Sequence, residues 1–167
     1  MEKKIINFAL EFEKKGAILY LEFALKVNNP LSKALFYTLA KQEIEHAERI
    51  EKFYAGLPVE VSDDVSKIDS VEEDVKSFFE KIEKTTTSKE SNIDVYETAI
   101  ELEKKGYESY KKFLAESKNE SEKELLQFLL NEEKKHLDSI VNVYSYLTGT
   151  SDWLEREESR VWNWMNL

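Results

Sequence analysis

Apolar residues recur along this chain at alternating steps of three and four, the spacing that keeps side chains on one face of an α-helix. Four segments carry such stripes. The first reads Ile6, Ala9, Glu13, Ala17, Tyr20, Ala24, Val27 and ends at Asn28-Asn29-Pro30, where proline cannot continue a helix. The second opens beside Pro30 and Ser32, reads Leu35, Leu39, Glu43, His46, Ile50, Phe53, and closes at Gly56 with Pro58 just beyond. The third reads Tyr96, Ala99, Glu103, Gly106, Tyr110, Phe113, with Ser91, Asn92 or Asp94 as candidate caps. The fourth follows the polar joint KNESEKE, reads Leu125, Leu129, Glu133, His136, Ile140, Val143, Leu147, and stops at Gly149. Short joints make segments one and two, and segments three and four, antiparallel hairpins.

Residues 57–91 join the hairpins, and VEEDVKSFFEKIEK within them has the periodicity of a shorter helix. A connection of that length can cross a whole bundle. The pattern predicts an all-α fold, a four-helix bundle over residues 1–148 built of two hairpins with one long crossover at 57–91. Beyond it, the tail at 149–167 is expected to form a short amphipathic helix presenting Trp153, Val161, Trp162, Trp164, Met165 and Leu167. Its apolar side would cap the bundle or meet another subunit, as in a homodimer. Only 4 Gly and 2 Pro agree with long helices rather than a turn-rich sheet protein.

The two hairpins are near-copies. ALEFEKKGAILY at 9–20 matches AIELEKKGYESY at 99–110, which maps Glu13 onto Glu103 and Tyr20 onto Tyr110 at an offset of 90. The same offset relates Glu43 and His46 to Glu133 and His136, and these two histidines are the only ones in the chain. Each Glu-x-x-His interrupts an apolar stripe, so both residues should point into the core. A buried carboxylate costs several kcal/mol unless a proton, an ion pair or a metal neutralises it.

A helix turns positions i and i+3 to one side, so each Glu-x-x-His offers one oxygen and one imidazole together. With one carboxylate from each remaining helix, Glu13, Glu43, His46, Glu103, Glu133 and His136 form a four-carboxylate, two-histidine cage. Bundles use such a set for paired iron or manganese ions, and two divalent cations balance four carboxylates. Iron is the first choice and manganese the second, because sulfur ligands for softer metals are absent and calcium or magnesium rarely recruits imidazole. A lone Glu-x-x-His is more often a solvated helix face. Two copies that use every histidine, each with an upstream Glu at the same spacing, carry the metal reading.

Neighbouring acids compete for these roles. Glu132 precedes His136 by four residues, but its repeat partner is Gln42, so Glu133 is the duplicated position. Glu11 and Glu101 are duplicated, yet two residues of helix turn them about 160° from the inward stripe. They belong on the solvent face with Lys14, Lys15, Lys104 and Lys105. Tyr20 and Tyr110 share the inward face, where each hydroxyl either bonds a ligand carboxylate or relays an electron, or is an ordinary core tyrosine. Gly16 and Gly106 each cost a helix about 1 kcal/mol relative to alanine, which suggests that room is needed beside the site.

Composition removes other classes. With no cysteine, the chain offers no disulfide, thiolate site or iron–sulfur cluster. A net charge of −10 without a basic stripe disfavours nucleic acid. No apolar run reaches membrane-span length and the start lacks a signal-peptide pattern, so a soluble, cytoplasmic protein is expected.

The motifs resemble the ferritin-like di-iron carboxylate superfamily, and within it the rubrerythrin family, in which a helix-one glutamate is followed seven residues later by tyrosine and a Glu-x-x-His lies on the next helix. Both halves match, as Glu13 with Tyr20 and Glu43 with His46, then Glu103 with Tyr110 and Glu133 with His136. The resemblance implies that Glu43 and Glu133 bridge two metals, that Glu13 and Glu103 are terminal ligands, and that each histidine serves one metal. It further implies a dinuclear non-haem iron oxidoreductase reducing peroxide or dioxygen. The wider superfamily also includes iron oxidation for storage, and a metal-stabilised structural bundle is the third alternative. Two departures stand out: Gly106 occupies a position where rubrerythrins often carry an extra ligating glutamate, and the four-cysteine rubredoxin-type domain is absent from this sequence. Electrons would then come from a separate donor protein.

Overall fold

The computed structural model describes residues 3–56 and 92–148, which form four helices: α1 (Lys3–Lys26), α2 (Pro30–Ala55), α3 (Asn92–Glu116) and α4 (Glu120–Thr148). No strand occurs among the described residues. The expected crossover at 57–91 with its shorter helix, the cap Ser91 and the C-terminal helix of 149–167 lie outside them.

The joints are built alike in both hairpins. Asn29 caps α2, its side-chain oxygen accepting from the Leu31 and Ser32 amides at 2.8 and 3.2 Å, and Pro30 fills the first helical position, where a missing N–H costs nothing. Asn119, which is 90 residues on, caps α4 by accepting from the Glu122 amide at 3.2 Å. Each asparagine sits three residues past the end of one helix and turns the chain directly into the next. The hairpin pairs α1/α2 and α3/α4 therefore make the most extensive contacts, and α2 with α4 and α1 with α3 close the bundle.

Aromatic contacts fix the relative directions. Phe8 near the start of α1 meets Phe113 near the end of α3, with ring centroids 5.2 Å apart, so these helices are antiparallel. Phe36 of α2 meets Tyr96 of α3 at 5.3 Å, and the Tyr96 hydroxyl donates to Ser32 Oγ at 2.8 Å, which places the starts of α2 and α3 at one end. Helices α2 and α3 thus run parallel, the arrangement that a ferritin-like bundle reaches with a long crossover. Phe8, Phe12 and Phe113 form one aromatic layer of the core. Phe23, Phe36, Tyr96 and Tyr144 form another. The inward Glu and His positions lie between them.

The duplication holds at the inward Glu, His and Tyr positions and is broken at several exposed ones. Ile18, Leu21, Leu25, Tyr37 and Ile44 are exposed on the first hairpin, whereas the positions 90 residues later carry Glu108, Lys111, Ala115, Gln127 and Lys134. Among the described residues no helix is long and apolar enough to cross a membrane.

Candidate metal centre

All six predicted ligands come together, one carboxylate each from α1 and α3 and a Glu-x-x-His from each of α2 and α4. They are buried so completely that His46, the most accessible of them, is only 4% exposed. Both imidazoles turn Nδ1 inward. His46 Nδ1 lies 3.1 Å from Glu13 Oε2 and 3.5 Å from Glu43 Oε2, while His136 Nδ1 lies 3.0 Å from Glu43 Oε1 and 3.5 Å from Glu103 Oε2. The rings stack with centroids 5.3 Å apart. Glu43 is therefore the hub, touching both histidines.

The tyrosines reach across the bundle rather than along their own helix. Tyr20 donates to Glu103 Oε1 and Tyr110 donates to Glu13 Oε1. Seven residues of helix span about 10 Å, too far for a tyrosine to meet the carboxylate of its own repeat. Because α1 and α3 are antiparallel, residue 20 lies level with 103 and residue 13 with 110. The sequence placed both hydroxyls near ligand carboxylates, but the exchange between halves needed the packing direction.

Burial and crowding decide where protons sit. Burial, then the neighbouring Glu43 charge, raises Glu13 well above the usual carboxylate range. Glu133 is raised likewise, by burial and then by Glu103, Glu43 and Glu13. Burial also pushes Glu43 upward, but the close approach of Glu13 and of the His136 and His46 imidazoles outweighs it and holds Glu43 far below that range. Burial lowers His46, yet Glu13 and Glu43 beside it raise it to about 9. His136 is also raised well above its ordinary value, by Glu103 and Glu43 against the opposing effect of burial. Tyr110 is raised by burial and by the Glu13 charge.

These protons do not satisfy the site. Both Glu133 oxygens and both His136 nitrogens are buried without a hydrogen-bond partner among the described residues. A buried carboxylate with neither oxygen bonded costs about 1–3 kcal/mol or more, so the cluster fits an additional positive group. Ligand atoms fall into two groups of four, each within 4.8 Å of one another: Glu13, Glu43, His46 and Glu133, then Glu43, Glu103, Glu133 and His136. The groups share Glu43 and Glu133. Two oxygen-rich, imidazole-containing sets that hold two carboxylates in common suit a pair of divalent iron or manganese ions.

The family model described as Rubrerythrin matches residues 4–144, which covers all four helices and all six of these side chains. The chain belongs to the rubrerythrin family. No curated protein and no solved structure matches it. For a rubrerythrin-family chain the glycines of the repeat acquire a local meaning. A Cβ on Gly16 would sit 3.6 Å from Glu43 Cγ and Cδ, in ordinary contact. A Cβ on Gly106 would fall 2.5 Å from Glu133 Oε2 and 2.8 Å from Phe12 Cε1, so Glu133 occupies the space that any larger residue at 106 would fill.

One residue near this rubrerythrin centre escaped the repeat argument. Glu132, set aside because its partner is Gln42, has Oε2 3.9 Å from His46 Nε2. The break in duplication that excluded it as a shared ligand was itself the available signal.

Proposed function

We propose that Glu13, Glu43, His46, Glu103, Glu133 and His136 hold two iron ions, with manganese as the second choice, and that the protein reduces peroxide or dioxygen with electrons from a separate donor protein. Glu43 and Glu133 would bridge, Glu13 with His46 would complete one position, and Glu103 with His136 the other. The observation that carries this reading is the pair of four-residue groups sharing those two glutamates. A ferrous pair supplies two electrons at one place, the number that converts hydrogen peroxide and two protons to two waters.

The side chains divide the remaining work. Tyr20 and Tyr110 each fix one oxygen of Glu103 and Glu13, leaving the second oxygen to face the centre. The aromatic layers above and below limit water, which strengthens every charge interaction within. In the metal-free protein neighbouring carboxylates favour a proton on His46, burial and neighbouring carboxylates favour protons on Glu13 and Glu133, and cations held there would displace them.

Anaerobic loading with ferrous iron, metal analysis and rapid mixing with peroxide or dioxygen, in the presence of an external reductant, test the proposal. Two irons per chain and multiple turnovers are expected. Loading with far more than two irons would favour storage, and two tightly held irons that neither oxidant reoxidises would leave only a structural role.

A further inference from the structure

The ligand cluster is built from duplicated residues, but its surroundings are not. Glu132 stands where the first hairpin has Gln42, Phe128 where it has Thr38, and Arg49 where the second hairpin has Ser139. All three gather on the outer side of His46. Phe128 meets the imidazole edge-on with centroids 5.7 Å apart, and the Arg49 guanidinium lies over the Phe128 ring at 3.9 Å. Glu132, with its side chain 14% exposed, directs Oε2 toward His46 Nε2 at 3.9 Å, while Lys135 Nζ holds Oε1 at 2.5 Å. That separation is within ion-pair range and beyond hydrogen-bond length.

His46 therefore lies between two acidic surroundings, with Nδ1 facing Glu13 and Glu43 and Nε2 facing Glu132. His136 differs. Its Nδ1 also faces carboxylates, but its Nε2 is buried with no hydrogen-bond partner among the described residues. Two stacked imidazoles in one cluster thus differ in whether a carboxylate stands behind the ring. An imidazole that gives one nitrogen to a cation carries its proton on the other, and an acceptor at that proton fixes the tautomer and the ring plane and makes the donor nitrogen more basic.

We infer that Glu132 is a positioning residue for His46 and makes the two halves of the centre unequal, so that the position served by His46 takes its cation more tightly than the position served by His136. This rests on the dinuclear reading above. A purely structural role for Glu132, as the i, i+3 partner of the exposed Lys135, would leave cation affinity untouched, since pairs at the surface contribute little.

Metal-free protein is titrated anaerobically with ferrous iron alone, against a competing chelator, for the native chain, Glu132→Gln and Lys135→Met. Glutamine is the residue the other hairpin already carries at this position, so the fold should accept it. The native chain is expected to bind two irons in two steps at least about ten-fold apart, the lower end of what a carboxylate behind a ligating histidine supplies. Glu132→Gln should weaken the tighter step by about ten-fold and still bind two. Lys135→Met should keep both constants. In the zinc-loaded protein, imidazole nitrogen NMR should find the His46 proton on Nε2 in the native chain, and a shifted Nε2 signal in Glu132→Gln. Equal native constants, a Glu132→Gln titration superimposable on the native one, or a Lys135→Met variant that imitates Glu132→Gln would overturn the assignment. A native chain that binds no pair of ions would instead sink the dinuclear reading on which it rests.

Discussion

The two repeat glycines make opposite predictions for the same substitution. Gly16→Ala adds a methyl group at ordinary contact distance from Glu43, 3.6 Å from Cγ and Cδ, so the helix gains about 1 kcal/mol in propensity with no steric cost. For a chain of this size that gain raises the melting temperature by about 2–4 °C. Gly106→Ala offers the same gain to α3 but puts the new carbon 2.8 Å from both Glu133 Cδ and Phe12 Cε1. Overpacking of this kind costs about 1–3 kcal/mol, so the net result is a loss of up to about 2 kcal/mol. Glu133 can retreat only by leaving the place where both four-residue groups share it, and Phe12 can retreat only by disturbing Tyr110, whose ring lies 6.1 Å away and whose hydroxyl holds Glu13. Thermal unfolding of the metal-free variants, with iron per chain after anaerobic loading, measures both consequences. Gly16→Ala should melt higher and hold two irons, while Gly106→Ala should melt lower and hold fewer. If both variants melted higher and loaded equally, the position of Glu133 against α3 would not govern the site.

The tyrosine exchange predicts that Tyr20→Phe and Tyr110→Phe each strand a buried carboxylate oxygen, of Glu103 and Glu13 respectively, at a cost of about 1–3 kcal/mol in urea unfolding; unchanged midpoints would mean that the hydroxyls do not hold the carboxylates. In the metal-free protein Glu43 is held far below the usual carboxylate range and Glu133 is raised well above it, so Glu43→Gln should cost about 3–5 kcal/mol while Glu133→Gln changes stability by less than about 1 kcal/mol. Equal losses from the two would contradict that assignment of charge. For pH, the folded state raises His46 from 6.5 to about 9, so its contribution of about 3 kcal/mol is complete below pH 6.5 and is lost as pH rises through about 9. Raised Glu13 and Glu133 act in the same direction, losing their contribution as pH climbs above 4.5, while depressed Glu43 contributes above 4.5 and loses its share only in acid. The metal-free protein should therefore melt lower at pH 10 than at pH 7, and a flat profile would count against the buried protons. Because cations displace those protons, loading at pH 7 should release about two or more of them per pair of metals, read from the buffer dependence of the calorimetric heat; binding without release would place the cations elsewhere.

The fold and the convergence of the six inward side chains were legible because they depend on local rules. Helical spacing set the stripes, Asn29-Pro30 and Gly56 marked ends, and two Glu-x-x-His pairs at a common offset could serve no single helix face except the inward one. What stayed hidden depends on how helices meet. The antiparallel packing of α1 on α3 decides that Tyr20 meets Glu103, and no property of either repeat alone contains that. Glu132 was passed over because the repeat was treated as a filter for function, whereas its neighbour His46 lies on a different helix and in the other half. The unequal clearance at Gly16 and Gly106 is likewise invisible in two identical EKKG strings, since it arises from the side chains that pack against them.

The pattern of exchange also accounts for which parts of the duplication persist. A single hairpin would carry two buried glutamates and one histidine, with its tyrosine hydroxyl aimed at nothing. Only the second hairpin brings Tyr110 to Glu13 and Glu103 to Tyr20, and only then can Glu43 sit between two imidazoles. Each tyrosine of one half thus satisfies a carboxylate of the other, so losing either hydroxyl leaves a buried oxygen unpaired in the counterpart. The outer faces have no such reciprocal demand. There the same positions hold Ile18, Leu21 and Ile44 in one hairpin and Glu108, Lys111 and Lys134 in the other, and the departures nearest the centre, at Glu132, Phe128 and Arg49, gather at His46 and the Phe128 ring beside it.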